Sequence, residues 1–158
     1  MWRYKLCVMK KIILFRHRDA DYLFDELTPK GVEEARALAE ELRAEFEGKA
    51  VSVFTSHAGR TKHTATVIQD TIGLEGEAQA LKSLEESAGA VGYSQGVGQH
   101  LPEDVDVAFC VTHAPVLKGF LPQRLGSLQG VDVTSDDERN IVTIDIHADE
   151  WPSLQQGL

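Results

Sequence analysis

The chain reads as an α/β protein, a layered fold in which helices cover a largely parallel sheet. Short apolar runs at 12–15, 50–55 and 105–112 alternate with helix-compatible segments, the pattern of strand–helix–strand units. The first run, Ile12-Ile13-Leu14-Phe15, is apolar without alternation, as a strand covered on both faces should be. A length of 158 residues suits a single core, and a chain of that size buries roughly 68–70% of its unfolded surface. The expectation is therefore one domain over 1–158, with residues 1–8 a frayed extension and translation starting at Met1 or Met9.

The elements follow in order. After the first strand a polar loop runs to Leu27, and Thr28-Pro29 signals a helix start, with threonine as N-cap and proline in the first turn. Ala35, Leu38, Ala39, Leu42 and Phe46 then recur at three- and four-residue spacing, while Glu33, Glu34, Arg36, Glu40, Glu41 and Arg43 fill the other face. Gly48 is the expected stop. A second strand at 50–55 leads through a turn into a helix over about 60–71, ending near Gly73, and 77–84 contains a short strand. A further strand at 105–112 precedes His113 and a helix reaching about Leu125. Strands at 131–133 and 141–146 close the chain; the latter alternates Ile, Thr and Asp as an edge strand would.

Composition excludes several classes of function. Lysine and arginine total 16 against 25 aspartates and glutamates, a net charge of −9, which argues against a nucleic-acid or anionic-membrane binder. No apolar run approaches the ~20 residues of a membrane span, and the N-terminus lacks the core of a signal peptide, so a cytoplasmic protein is expected. Cys7 and Cys110 are too few for a disulfide scaffold. Cys110 with His113 would be half a zinc site, but no second ligand pair has suitable spacing, so no metal is expected.

In open α/β sheets ligands bind beyond the carboxyl ends of the strands. Three of the predicted strands end in cationic or imidazole groups: Arg16-His17, then His57 and Arg60, then His113. Two arginines and two histidines at one sheet edge make an anion pocket, because a guanidinium fork matches phosphate oxygens. The helix starting near Arg60 adds its free N-terminal amides. A neutral histidine there can attack phosphorus, provided neighbouring arginines depress its pKa and a backbone acceptor on one ring nitrogen aims the other. The reaction expected is phosphoryl transfer to histidine, then hydrolysis of the phosphohistidine.

These residues resemble the histidine phosphatase superfamily, which includes the cofactor-dependent phosphoglycerate mutases. The family's strand and Arg-His-Gly is matched by Phe15-Arg16-His17-Arg18, and its Leu-Thr-x-x-Gly by Leu27-Thr28-Pro29-Lys30-Gly31. Its Ser-x-x-x-Arg-x-x-x-Thr-Ala appears as Ser56, Arg60, Thr64 and Ala65, and its strand with a second histidine as Val111-Thr112-His113. The resemblance spans about 10–125 and implies a three-layer αβα sandwich with a mostly parallel sheet, phosphoglycerate mutase-like and without a large lid insertion. It implies His17 as the phosphorylated nucleophile, Arg16 and Arg60 on the phosphoryl oxygens, and His113 as a further hydrogen-bonding group. It implies no cofactor, with phosphate or another oxyanion in the site. Size and the run Arg16-His17-Arg18-Asp19-Ala20 are most similar to the small bacterial phosphohistidine phosphatases.

Two departures bear on the chemistry. Arg18 stands where the family has glycine, and could either contact substrate phosphate or alter the loop. The general acid of the larger family members, a glutamate four residues before a glycine, is matched by Glu85 and Gly89, with Glu86 competing, whereas the small phosphohistidine phosphatases lack a clear acid, so the acid is Glu85, Glu86 or none. The substrate expected is a phosphohistidine protein or a small phosphorylated metabolite, selected by the loops at 18–27 and 85–103. Mutase chemistry would need an enclosing lid. The alternatives are an impaired phosphate-binding or interaction module, and a serine esterase built on Ser94 in Gly92-Tyr93-Ser94-Gln95-Gly96, which lacks a strand before it. His57 and His63 read as surface residues of the second helix, His57 at the pocket's edge, and Asp136-Asp137-Glu138 as a solvated turn.

Overall fold

The protein's structure, a computed structural model, describes residues 9–85, 104–118 and 131–147. Residues 1–8, Glu86, Gly89, Ser94 and the helix expected beyond Lys118 lie outside those residues. The strands are β1 (Met9–Arg16), β2 (Ala20–Asp21), β3 (Glu26–Leu27), β4 (Val51–Thr55), β5 (Gln79–Ala80), β6 (Val107–Thr112), β7 (Val131–Asp136) and β8 (Ile141–His147). The helices are α1 (Pro29–Phe46), α2 (Gly59–Ile72) and α3 (Ala114–Lys118), with a 3-10 turn at Lys82–Leu84.

Six strands form one sheet in the order β5-β4-β6-β1-β8-β7. The pairs β5/β4, β4/β6 and β6/β1 are parallel; β1/β8 and β8/β7 are antiparallel. The mostly parallel sheet is thus as expected. The alternating 141–146 segment is not an edge strand, however, because β8 is hydrogen-bonded on both sides and β7 takes the edge. Its alternation has another cause. Val142, Ile144 and Ile146 enter the core beneath one face of the sheet, while Thr143 and Asp145 point to the face that α1 and α2 do not fully cover at this end.

One face of the sheet packs on α1 and α2 through Ile13, Phe15, Ala35, Leu38, Ala39, Phe46, Ala65, Ile68 and Phe109. Phe109 stacks between Phe15 and Phe46, with ring centroids 4.5 and 5.1 Å away. The other face collects Ile12, Leu14, Phe54, Leu84, Cys110 and Leu117, so β1 and β6 are covered on both sides. Burial pushes the Cys110 thiol well above its usual pKa, and the residue packs as a small apolar group.

The helix ends explain two of the motifs. The Thr28 hydroxyl accepts from the Gly31 amide at 3.1 Å, capping α1, and itself donates to the Asp19 carboxylate at 2.6 Å. A Cβ on Gly31 would lie 2.0 Å from the Asp19 carbonyl, so only glycine lets α1 start against that loop. The expected polar loop before Leu27 contains a small hairpin, β2–β3, tied down because His63 Nδ1 accepts the Leu27 amide proton at 2.9 Å. His63 is therefore a half-buried brace rather than a plain surface residue. Among the described residues no helix is long and apolar enough to cross a membrane.

Candidate active site

The sheet order brings the polar strand ends together. β1 is paired in parallel with β6, matching Arg16 to Thr112, so His17 and His113 leave adjacent strands side by side. The His17 amide donates to the Thr112 carbonyl at 3.1 Å, and the two imidazoles meet edge to face with centroids 5.4 Å apart. β4 lies on the other side of β6, which sets Ser56 beside His113. The fully buried Ser56 hydroxyl pairs with His113 Nε2 at 2.9 Å and with the Thr61 hydroxyl at 2.8 Å. The first residue of the Ser-x-x-x-Arg motif thus fixes the second histidine, a role that spacing alone did not reveal.

His17 is 6% exposed. Its Nδ1 faces the Arg18 carbonyl at 2.9 Å and therefore carries the proton, leaving Nε2 with the lone pair. Arg60 Nε donates to that Nε2 at 3.3 Å. The His17 pKa is pushed down to about 4, first by burial and then by His113, Arg16 and Arg60, while the Arg18 carbonyl works in the opposite direction. The imidazole is neutral across the physiological range. Burial, more than the arginines, keeps it so.

Arg60 comes from the first turn of α2 and is held from behind. Its Nη1 donates to Asp25 Oδ1 at 2.8 Å, and Asp25 also accepts from the amides of Gly59 at 2.6 Å and Arg60 at 3.2 Å. Slight burial would raise the Asp25 pKa, but those amides and the guanidinium prevail and hold it below its usual value. Asp25, at a φ of +53°, sits at the turn of the β2–β3 hairpin and caps α2. Tyr22, from the same turn, touches three site residues. Its ring lies edge to face with His17 at 5.9 Å, the Arg60 guanidinium stacks 5.1 Å from its centroid, and its hydroxyl accepts from Arg16 Nη2 at 3.4 Å. Neither Tyr22 nor Asp25 carried any sequence signal, since an isolated loop tyrosine and aspartate belong to no periodic pattern.

Arg18 borders the cleft but commits its guanidinium to backbone carbonyls. Its Nε and Nη2 donate to the Arg16 carbonyl at 3.0 and 2.7 Å, its Nη1 donates to the Arg139 carbonyl at 2.9 Å, and the guanidinium lies 5.6 Å from the Phe15 ring centre. Burial lowers its pKa, with Glu34 opposing. Its amide donates to the Thr64 hydroxyl at 3.3 Å, which accounts for the motif threonine: Thr64 secures the loop behind His17. Glu85 ends the 3-10 turn, and its Oε1 accepts from His57 Nδ1 at 2.6 Å and from the His57 amide at 2.9 Å. Glu85 and His57 thus form a pair where β4 leaves the sheet.

Arg16, His17, Arg18, Asp19, Ala20, Tyr22, Glu34 and Asn140 line an open cleft of about 290 Å³. The cleft brings guanidinium groups and the His17 ring together, a setting suited to an oxyanion, while Arg60 and His113 adjoin His17 without lining the cleft. No cluster of three or more ligating side chains suited to a metal occurs among the described residues.

A family model described as histidine phosphatase superfamily (branch 1) matches residues 12–106. That span includes Arg16, His17, Arg60 and Glu85; His113 lies beyond it and enters the site through the β1–β6 pairing. The fold is similar to a SixA protein from Nakamurella multipartitia, with a TM-score of 0.67 and 22% identity over 94% of this chain and 91% of that one. It is also similar to the protein histidine phosphatase SixA complexed with tungstate, with a TM-score of 0.61 and 21% identity over 89% and 98%. A third similar structure is a phosphoglycerate mutase from Plasmodium falciparum, with a TM-score of 0.58 and 21% identity over 86% and 89%. No curated protein sequence matches the chain significantly.

Proposed function

The chain belongs to the histidine phosphatase superfamily, and we propose that it is a metal-independent phosphatase that works through a phosphohistidine at His17. The observation that carries this reading is the state of His17: a buried, neutral imidazole whose Nδ1 proton is spent on the Arg18 carbonyl and whose Nε2 lone pair lies against Arg60. In the proposed reaction Nε2 attacks phosphorus while the bond to the leaving group breaks. Arg16 and Arg60 take the charge on the phosphoryl oxygens, with His113, held by Ser56, as a further donor. Water then attacks phosphorus, its proton passing to the carboxylate left by the general acid of the first step, and the N–P bond breaks, so that phosphate leaves and Nε2 regains its lone pair.

Glu85 is the proposed general acid, paired with His57. A phosphohistidine substrate, whose leaving group is imidazole, needs such an acid less than an alkyl ester does, and the open cleft admits a protein side chain. We therefore favour phosphohistidine on a protein, then small phosphorylated metabolites, with Arg18 kept from the substrate by its carbonyl bonds. The proposal places this activity on one domain in the cytoplasm.

The test is hydrolysis of p-nitrophenyl phosphate in EDTA, alongside phosphohistidine and a sugar phosphate. Turnover in EDTA, fastest on phosphohistidine, is the expected result. Vanadate binding without hydrolysis of any substrate would instead make the protein a phosphate-binding module.

A further inference from the structure

Tyr22, Leu23 and Phe24 are the large apolar side chains most exposed among the described residues, at 60%, 84% and 69%. They are consecutive, and they form the tip of the β2–β3 hairpin, of which Tyr22 lines the cleft. Single exposed apolar residues are normal on a protein surface, but a contiguous group beside a site marks a place of contact.

The tip is held in shape rather than left slack. Asp21 Oδ1 accepts from the amides of Leu23 at 2.9 Å and Phe24 at 3.4 Å. Asp25 bonds the first turn of α2, and a Cβ on Gly59 would fall 2.3 Å from the Asp25 carbonyl, so the hairpin rests directly on that helix. Tyr22 reaches inward to His17, Arg16 and Arg60, while its two neighbours stay in solvent. Through Tyr22 the tip is joined to the wall of the cleft beside His17.

The charge around the tip narrows the kind of substrate. Asp21 and Glu26 flank it in the two strands of the hairpin, on a chain of net charge −9, while Asp25 is paired with Arg60. Beyond the arginines of the phosphoryl site, that overall acidity disfavours an anionic lipid surface or a polyanionic metabolite and tolerates a neutral or basic polypeptide. We propose that residues 22–24 form a specificity platform for a phosphorylated protein segment that carries apolar side chains next to its phosphorylated residue. The proposal rests on the phosphatase reading of His17 and adds the substrate's character to it.

The experiment compares three substrates on the full chain: phosphoramidate, a peptide phosphorylated on histidine with flanking leucines, and the same peptide with flanking serines. Wild type is expected to favour the leucine peptide by about tenfold in kcat/KM, the scale of one well-buried methylene pair. The double variant Leu23→Ser/Phe24→Ser should lose that preference, with phosphoramidate, too small to reach the tip, reporting an intact site. Equal rates on the two peptides in wild type, or a preference that survives in the variant, would overturn the platform. Failure of wild type to hydrolyse phosphoramidate at all would overturn the reading of His17 itself, and the platform with it.

Discussion

The two halves of the sheet have the same core but different work. In the parallel half, β4, β6 and β1 all point their carboxyl ends at one edge, and each strand delivers a polar side chain there: Ser56, His113 and His17. In the antiparallel half, β7 and β8 are joined by a tight turn whose Arg139 carbonyl and Asn140 carbonyl serve as acceptors for Arg18 and for the Arg16 amide. One half gathers side chains at the candidate site; the other supplies backbone acceptors to the first half. Parallel strands need crossovers, and crossovers leave loops and helix starts at the carboxyl edge, whereas a hairpin closes on itself.

That contrast can be broken from the parallel side first. Arg60→Ala should lower kcat/KM by roughly 2–4 kcal/mol of transition-state stabilisation, by the scale of losing one preorganised donor. Unchanged steady-state kinetics would remove Arg60 from the chemistry. The pH dependence of stability comes next. Because the His17 pKa is about 4 in the folded protein against an ordinary 6.5, the unfolded chain binds more protons between those values. Stability should therefore fall as the pH drops from 6.5 towards 4, by roughly 3 kcal/mol over the full interval. Urea melts of His17→Ala should show a flatter profile there; an identical slope would mean that His17 is not held neutral.

Ser56→Ala should remove about 1–3 kcal/mol of stability, since it strips a fully buried hydroxyl from His113 and Thr61. It should also slow turnover, and loss of stability with unaltered kinetics would reduce Ser56 to a purely structural role. The smallest effect belongs to the other half. Arg18→Gly, which restores the residue typical of the family, should cost about 1 kcal/mol through lost bonds to the Arg16 and Arg139 carbonyls, and change kcat/KM only a few-fold. A large change in either direction would place Arg18 in contact with substrate.

How legible all this is from sequence depends on the kind of signal each residue carries. β1, β4, β6 and α1 announce themselves through apolar runs or a 3.6-residue period, and the polar groups at the strand ends follow from those elements. The interior position of β8, one strand in from the edge, was hidden because alternation reports how much of a face is covered, not how many neighbours a strand has. Asp25 and Tyr22 were hidden because their positions come from a hairpin two residues long on each side, below the reach of any periodicity. Arg18 stood out only as a departure; its carbonyl partners, one of them 121 positions away, arise from tertiary structure.

The most direct test of the central claim is to trap the phosphoenzyme. Wild type and His17→Ala are mixed with radiolabelled phosphoramidate, quenched in alkali within the first turnovers, and the labelled protein is challenged with acid and base. Label is expected on wild type that survives alkali, is lost in acid and maps to His17, with none on the variant. Label that persists in His17→Ala, or steady turnover in that variant, would contradict that claim.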